Sequence, residues 1–328
     1  MNNDDLIPLQ DVFQLEGPDG SGIYKAVFFA FNTVITLLAG GQPDLVARAF
    51  SQVRDECRRF ERLFSRTLPH SDISRLNQAA GAESEVSADT YKLLQAAQHY
   101  CRESRGTFDI TVGPLVALWD FNEQRIPDEQ RLRDAARHVG WQGLTLRADG
   151  PGSPTSAQHC YYARLADPLA ALDAGGIAKG YIADSLTDSM LANQLQSFCI
   201  SLGGNTVARG RKPNGQPWQV GIQDPADKTA IIGALELIDA SLVTSGIYER
   251  SFTLDGCLYH HILDPQAGHP VDTDVAGVSV LAKRSIDAEG FSTTLLALGL
   301  NEGIAFARSR PEIESAIFVD KQGGVFST

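Results

Sequence analysis

The segment between residues 26 and 64 constrains the fold most strongly. Residues 26–38 are dense in Val, Phe, Ile and Thr and are closed by a Gly-Gly pair, which predicts one or two strands ended by a turn. From residue 43 to residue 64, apolar residues recur every three or four positions and leave Arg, Asp and Glu on the other face. This spacing predicts an amphipathic helix, so the fold must contain both strands and packed helices.

The rest of the chain continues this mixture and predicts an α+β fold. A second helix is expected to begin near Ser87, an N-cap type residue, and a short charged helix is expected at residues 128–138. Residues 65–77 read as a polar loop whose side chains can bond to backbone or to a ligand. The Gly/Pro/Ser-rich residues 147–160 predict an exposed hairpin tip. Further strands are predicted at 197–202, 218–222, 231–237, 258–263 and 275–281, with a last helix at about 288–298.

Composition and charge narrow the classes of function. The 328 residues carry 28 Lys and Arg against 40 Asp and Glu, a formal net charge of −12. Sequence-independent nucleic-acid binding and adhesion to an anionic membrane both depend on basic patches, so neither is expected here. With 43 % hydrophobic residues, the chain falls in the ordinary globular range and can bury a full core.

The cysteines and the amino terminus bear on the cellular compartment. Five scattered cysteines without a C-x-x-C pair favour reduced thiols and the cytosol. The start, MNNDDLIPLQ, has acids where a signal peptide needs a basic segment. The most apolar stretch, residues 26–38, is shorter than the about 20 residues that span a bilayer. We therefore expect a cytoplasmic protein without a membrane segment, although an exported form trimmed of its leader would look the same.

Three polar, Gly-rich segments carry candidate chemistry. In DAGGIAKG (173–180) the glycines allow the backbone to approach a phosphate and Lys179 supplies positive charge, although a tight turn with a solvated lysine also fits. The pattern matches neither the P-loop nor the dinucleotide-binding glycine fingerprint. In TFDITVGP (107–114), Asp109 either caps a turn or meets a ligand. The glycines of ISLGGN (200–205) favour a hairpin corner over a ligand surface.

A fourth segment, TSGIYER (244–250) followed by HHILDPQAG (260–268), is the richest in polar groups. Adjacent histidines in a strand point to opposite faces, so at most one faces a given site, and Asp264 can orient one of them by hydrogen bonding. Glu289 and Thr293 lie four residues apart on one helical face, and oxygen ligands at that spacing suit Mg²⁺. Taken alone, Glu289 is better explained as a first-turn residue favoured by the helix dipole.

Taken in order, these segments resemble the ApbE family, the FAD:protein FMN transferases. The resemblance covers about residues 25–305 and rests on FNT (31–33), FSRTLPHSDISRLN (64–77), TFDITVGPLVALWDF (107–121), LDAGGIAKGYIAD (172–184), ISLGGN (200–205), TSGIYER (244–250), HHILDPQAG (260–268) and AEGFSTT (288–294). It implies one α+β domain of the T-fold-like kind, with mixed sheets and packed helices, at residues 25–328. Residues 1–24 would form an N-terminal extension.

The resemblance also implies the site residues. Those that contact FAD would be Phe31, Asp72, Ile73, Ser74, Asp109, Lys179 and Ile262. A divalent cation, usually Mg²⁺, would bind the carbonyl of Gly176 and the side chains of Glu289 and Thr293, and His261 would be the functional histidine. Two positions depart from the family pattern. Glu289 replaces the usual Asp, and Gln266-Ala267 replace the usual Arg-Thr near the pyrophosphate.

These assignments predict a Mg²⁺-dependent enzyme that transfers FMN from FAD to a Thr or Ser hydroxyl of an acceptor flavoprotein, forming a phosphoester and releasing AMP. Mg²⁺ and Lys179 would neutralise the pyrophosphate oxygens, and His261, backed by Asp264, would assist removal of the hydroxyl proton. Two alternatives stay open. One is a Mg²⁺-dependent FAD pyrophosphatase that yields FMN and AMP, and the other is a non-catalytic FAD-binding protein.

Overall fold

The computed structural model of the chain describes residues 13–150, 159–227 and 229–328, and antiparallel strands dominate it. The strands are β1 (Gln14–Glu16), β2 (Ile23–Ala30), β3 (Thr33–Gly40), β4 (Ser84–Val86), β5 (Leu144–Asp149), β6 (Cys160–Leu165), β7 (Ser197–Leu202), β8 (Asn205–Arg209), β9 (Trp218–Gln223), β10 (Ile231–Leu237), β11 (Ala240–Gly246), β12 (Ser251–Leu254), β13 (Cys257–His260), β14 (Val275–Ala282), β15 (Ser315–Asp320) and β16 (Val325–Ser327). The helices are α1 (Pro43–Phe64), α2 (Asp72–Gln78), α3 (Ala88–Glu103), α4 (Gly113–Val116), α5 (Glu129–Ala136), α6 (Ala178–Ala192) and α7 (Ser285–Arg308).

The central sheet has nine strands in the order β1-β2-β3-β7-β8-β11-β14-β15-β16. Each neighbouring pair is antiparallel. Side chains alternate between its faces, so Phe198 and Ile200 of β7 join the main core while Cys199 between them joins a second cluster. Both faces of the central strands are therefore covered, which explains why these strands are apolar almost throughout.

Helices α1, α6 and α7 cover one face of this sheet. Helix α1 buries the stripe Val46, Ala49, Phe50, Val53, Cys57, Phe60 and Phe64. Helix α6 packs between α1 and α7, and α7 lies along β11 and β14. This layer brings the start of α6 beside the first turns of α7, above the middle of the sheet.

The β9–β10 hairpin covers the opposite face, where Trp218, Ile222 and Leu237 form the second cluster with residues of β7, β8 and β11. A third cluster joins Leu115 and Trp119 to Phe252 of the β12–β13 hairpin. A separate sheet in the order β4-β6-β5 packs against α2 and α3.

Several predicted elements are confirmed because their signals are local. Helix α1 spans the predicted residues, and Ser87 caps α3 by accepting a hydrogen bond from the backbone N–H of Thr90. Strands β7 and β10 have the predicted bounds, and α5 lies within 128–138. The α+β class is likewise confirmed.

Other boundaries are corrected by the structure. Residues 65–77 are not all loop, because Ser71 caps helix α2, which buries Ile73 and Leu76. Helix α7 begins at Ser285 rather than near 288, because Asp184 of α6 accepts hydrogen bonds from the first backbone N–H groups of α7 at 2.7 and 3.2 Å. The strand predicted at 258–263 ends at His260. Of the predicted hairpin tip at 147–160, residues 151–158 lie outside the described part of the chain.

Two further predictions concern the ends of the fold. The domain boundary predicted between residues 24 and 25 falls inside β2, and β1 pairs with β2, so residues 14–16 and 23–24 belong to the central sheet. Residues 1–12 lie outside the description. Among the described helices, none combines the length and the apolar character needed to cross a bilayer.

Candidate functional site

A buried carboxylate lies where α6, α7 and β8 meet. The Glu289 side chain is nearly inaccessible to solvent, and one of its oxygens accepts a hydrogen bond of 2.7 Å from Lys179 Nζ. Its other oxygen accepts a hydrogen bond of 2.6 Å from Asn205 Nδ2. A buried charge is tolerated when it is paired and hydrogen-bonded, and both conditions hold here.

Gly180 makes this contact possible. A Cβ atom at Gly180 would lie 2.7 Å from Glu289 Cβ and 2.8 Å from Ile286 Cα, so only glycine lets α6 approach α7 this closely. Lys179 is the neighbour of this glycine in α6. The AKG part of the motif therefore sets the helix spacing that allows Lys179 to reach Glu289.

Gly176 and Thr293 lie beside this pair. A Cβ atom at Gly176 would be 3.9 Å from Thr293 Oγ1, and Thr293 follows Glu289 by one turn of α7. A carbonyl, a hydroxyl and a carboxylate are oxygen donors of the kind that Mg²⁺ accepts, so the residues fit the predicted cation. No group of three or more His, Cys, Asp and Glu side chains that could hold a metal occurs among the described residues. The chain thus offers part of a coordination sphere, which suits an ion that keeps several waters and binds substrate phosphates.

Arg66 supplies a second positive charge near the Gly-rich turn. Its Nε lies 2.9 Å from Asp173 Oδ2, and Asp173 Oδ1 accepts a hydrogen bond of 2.8 Å from Gly175 N. The Arg66 side chain is 40 % exposed, so its guanidinium meets solvent at this turn. Arg66 was not among the site residues predicted from the sequence. Its position in the polar loop of residues 65–77 was the one feature that pointed to a contact with a ligand.

The Asp109 carboxylate caps a turn. Its Oδ1 accepts hydrogen bonds from the backbone N–H and the hydroxyl of Thr111 at 2.8 and 2.7 Å, and its Oδ2 accepts one from Trp141 N at 3.1 Å. Burial raises the pKa of Asp109. Of the two interpretations left open for Asp109, the structure displays the turn cap, and contact with FAD stays a prediction.

The Asp72 carboxylate, at the start of α2, also accepts hydrogen bonds from within the protein. Its carboxylate accepts hydrogen bonds from Ser87 N at 2.8 Å and Thr90 Oγ1 at 2.6 Å, and Arg75 Nη2 lies 2.6 Å from its other oxygen. Burial alone would raise the pKa of Asp72, but these bonds hold it below its ordinary value. Ile73 and Ser74 are buried next to it. All three FAD-contact assignments in this loop stay predictions.

Phe31 lies at the tip of the β2–β3 hairpin in a strained backbone conformation. Phe31 and Asn32 have φ of 53° and 57°, the left-handed conformation of a two-residue hairpin turn. Such a φ is unusual for a bulky residue. The Phe31 backbone N–H donates a 2.6 Å hydrogen bond to Glu61 of α1, which ties the turn to the helix layer.

His261 follows β13 and is held in its neutral form. Burial, followed by the positive charge of Arg250, lowers the pKa of His261 to about 4, and Lys179 acts in the same direction. The buried His261 Nδ1 has no hydrogen-bond partner within the described residues.

Asp264 does not orient His261, which corrects the predicted dyad. Asp264 Oδ1 instead accepts hydrogen bonds from the backbone N–H groups of Gln266 and Ala267 at 2.7 and 3.3 Å. Asp264 therefore shapes the turn that ends at Gly268. The Gly268 carbonyl accepts a 2.9 Å hydrogen bond from Trp119 Nε1, so this turn is fastened to the segment that follows Asp109.

Comparison with known proteins identifies the family. The family model described as the ApbE family matches residues 31–318. The chain belongs to the ApbE family.

Individual relatives agree with this assignment. The chain is 34 % identical over 302 residues to the FAD:protein FMN transferase of Klebsiella pneumoniae (strain 342), covering 91 % of this chain and 89 % of the relative. It is 36 % identical over 278 residues to the FAD:protein FMN transferase of Treponema pallidum (strain Nichols), covering 80 % and 75 %.

Two solved structures show the same fold. The ApbE protein from Thermotoga maritima gives a TM-score of 0.82 at 26 % identity, covering 93 % of this chain and 96 % of that one. The flavinyl transferase ApbE from Pseudomonas stutzeri, in its apo form, gives 0.79 at 29 % identity, covering 97 % and 96 %.

In this ApbE-family chain the structure brings together only part of the predicted set. Gly176, Lys179, Glu289 and Thr293 gather around the α6–α7 contact. Ile262 is buried, and its carbonyl accepts a hydrogen bond of 3.0 Å from Val271 N. Asn205 belongs to the motif that was predicted to form a hairpin corner, and its side chain hydrogen-bonds to Glu289.

Proposed function

We propose that this ApbE-family chain is an FAD:protein FMN transferase, which moves FMN from FAD to a Thr or Ser hydroxyl of an acceptor protein and releases AMP. The named activity of the relatives supports the reaction. The observation that carries it is the meeting of Lys179, the buried Glu289 carboxylate and the Gly-rich turn before α6. A Gly-rich turn that leads into a helix N-terminus beside a lysine is suited to the diphosphate of FAD.

The proposal includes a divalent cation, Mg²⁺, held by the Gly176 carbonyl, Glu289 and Thr293. When bound, Mg²⁺ would act as a Lewis acid that neutralises charge on the phosphate oxygens. Lys179 already pairs with Glu289 at 2.7 Å, so the carboxylate would be shared between the lysine and the cation. The lysine ammonium remains within reach of a phosphate next to the carboxylate.

The transfer itself is an in-line displacement at phosphorus. The acceptor hydroxyl oxygen bonds to the phosphorus on the riboflavin side, the bond from that phosphorus to the bridging oxygen breaks, and AMP leaves with the bridging oxygen. His261 is the proposed acceptor of the hydroxyl proton. Its support is the buried Nδ1 atom, which has no hydrogen-bond partner in the described chain and is therefore available to accept a proton.

The flavin contacts remain part of this proposal. We propose that Phe31 and Ile262 contact the ring system through their apolar side chains. Asp72, Ile73 and Ser74 would contact FAD from the start of α2, and Asp109 from the turn that it caps. For Asp72 and Asp109 the capping bonds described above assign the carboxylates to shaping these loops. Any direct contact of theirs with FAD must share those oxygens.

A mass-spectrometric experiment tests the function. The protein is incubated with FAD and Mg²⁺, with and without an acceptor that carries an Asp-x-x-Thr or Ser/Thr-Gly-x-Thr segment. An acceptor that gains one FMN mass supports transfer, whereas free FMN and AMP without acceptor support hydrolysis. Intact FAD after long incubation contradicts both enzyme activities. Glu289→Ala should abolish transfer, and Glu302→Ala, which alters an exposed glutamate of the same helix, should not.

We also propose a cytoplasmic location for the reaction. No disulfide joins any of Cys57, Cys101, Cys160, Cys199 and Cys257, which is typical of a reducing compartment. The corresponding acceptor is a cytoplasmic flavoprotein. Fractionation of cells that produce the chain tests this location, and recovery outside the cytoplasm contradicts it.

A further inference from the structure

Asn205 connects strand β8 to helix α7 at the base of the candidate site. It is fully buried at the start of β8, and its Nδ2 donates the 2.6 Å hydrogen bond to the second Glu289 oxygen. Its Oδ1 accepts a 2.8 Å hydrogen bond from Ser285 Oγ, at the first position of α7. A continuous chain of hydrogen bonds therefore runs from Ser285 through Asn205 to Glu289.

This arrangement defines the orientation of the amide. A carboxylate only accepts hydrogen bonds, so the NH₂ group of Asn205 must face Glu289 and the carbonyl oxygen must face the Ser285 hydroxyl. The carboxylate decides this orientation, because a hydroxyl can either donate or accept. The Ser285 hydroxyl donates to the amide oxygen and so anchors the Asn205 side chain from its other end. Ser285 thus acts on Glu289 only through Asn205.

The glycines before Asn205 explain how its side chain reaches α7. Gly203 has a φ of 73°, and a Cβ atom at Gly204 would lie 2.9 Å from the Thr244 carbonyl oxygen. The backbone of the turn therefore lies directly against β11, where Gly204 also accepts a 2.8 Å hydrogen bond from Thr244 N. The ISLGGN motif therefore forms a tight hairpin corner, and this corner places the Asn205 amide in contact with Glu289.

We propose that Asn205, anchored by Ser285, is a positioning residue that fixes the Glu289 carboxylate for cation binding. Glutamate has one more rotatable bond than aspartate, so a carboxylate at this position loses more freedom when it is held for a ligand. Asn205 hydrogen-bonds to one oxygen of the Glu289 carboxylate, and the other oxygen faces Lys179. The inference rests on the proposed function in one respect, namely that Glu289 ligates the divalent cation.

Binding of Mn²⁺ as a probe for the cation tests this inference without measuring turnover. The full chain is titrated with Mn²⁺, and the free ion is followed by electron paramagnetic resonance. Asn205→Ala should weaken Mn²⁺ binding by about tenfold or more, the loss typical of residues that orient metal ligands. Ser285→Ala should weaken it by less. The double variant should bind like Asn205→Ala, because the two residues act in series.

A matched variant and a stability measurement separate positioning from folding. Asn193→Ala removes an asparagine that makes two hydrogen bonds of 2.9 Å at the other end of α6, about 20 Å from Lys179, and should leave Mn²⁺ binding unchanged. Thermal unfolding is recorded for every variant. If Asn205→Ala does not fold, Ser285→Ala still tests the positioning role, because it retains Asn205 and removes only the hydroxyl that anchors it.

The outcomes distinguish the two proposals. Suppose that Glu289→Ala abolishes Mn²⁺ binding, whereas Asn205→Ala and Ser285→Ala change it by less than twofold. This result overturns the role of Asn205 and is consistent with the proposed cation site. Mn²⁺ binding that survives Glu289→Ala, or no binding by the unaltered chain, contradicts that site and this inference together. A graded loss, with Asn205→Ala weaker than Ser285→Ala, supports the positioning role.

Discussion

Replacing Lys179 by methionine should destabilise the fold, because it leaves the buried Glu289 carboxylate without its positively charged partner. The two charged groups are 2.7 Å apart, an attraction of about 6 kcal/mol at an effective dielectric constant of about 20, before desolvation is subtracted. The Glu289 side chain is 6 % exposed and the lysine side chain 29 % exposed. Breaking a buried pair costs roughly 3–5 kcal/mol, and partial solvation of the lysine favours the lower end, about 3 kcal/mol.

The decisive comparison is with the double variant Lys179→Met/Glu289→Gln. Glutamine removes the unpaired charge and keeps an oxygen that Asn205 Nδ2 can reach, so the double variant should be more stable than Lys179→Met by at least about 1 kcal/mol. Urea unfolding followed by tryptophan fluorescence measures both, with Lys283→Met, at an exposed lysine before α7, as the control. A double variant less stable than Lys179→Met would refute the reasoning that an uncompensated buried charge causes the loss.

Three other changes test the packing and the titration of the site. Gly180→Ala should cost about 1–3 kcal/mol because its Cβ would overlap α7, whereas Gly233→Ala, with open space around it, should cost under about 1 kcal/mol by thermal unfolding. Asp184→Ala should cost about 1 kcal/mol in urea unfolding through loss of the α7 cap, and no loss would contradict that role. Burial lowers the pKa of both His260 and His261 to about 4, below the ordinary 6.5, so the unfolded chain binds more protons between these values. Stability should therefore fall as pH drops from about 6.5 to 4, and replacing both histidines by glutamine should flatten that slope in urea midpoints.

Local signals explain why parts of the fold could be predicted. The apolar stripe of α1 and the cap of α3 depend on residues within one helical turn of each other, so their bounds can be read from the chain. The start of α7 could not be predicted, because its cap, Asp184, is 101 residues away in sequence. The Glu289 site combines residues from β8, α6 and α7, and only packing of the whole layer brings these together.

The sequence does not determine the roles of the aspartates in these loops. Asp72, Asp109 and Asp264 all accept hydrogen bonds from backbone N–H groups, which is the same property that would let them meet a ligand donor. Residue type and spacing do not separate a capping aspartate from a ligand-binding one. Glu289 differs because its partners are the side chains of Lys179 and Asn205, a distinction visible only in three dimensions.

The charges around the Gly-rich turn explain how a chain with a net charge of −12 could accept an anionic substrate. Lys179 pairs with Glu289, and Arg66 pairs with Asp173, so the four groups carry no net charge together. The start of α6 adds only about half a positive charge. A diphosphate would bring about two negative charges into this neutral region, and a divalent cation is the smallest addition that restores the balance. The pairing of both basic side chains thus supports the proposed requirement for Mg²⁺, because neither can neutralise the substrate without releasing a carboxylate.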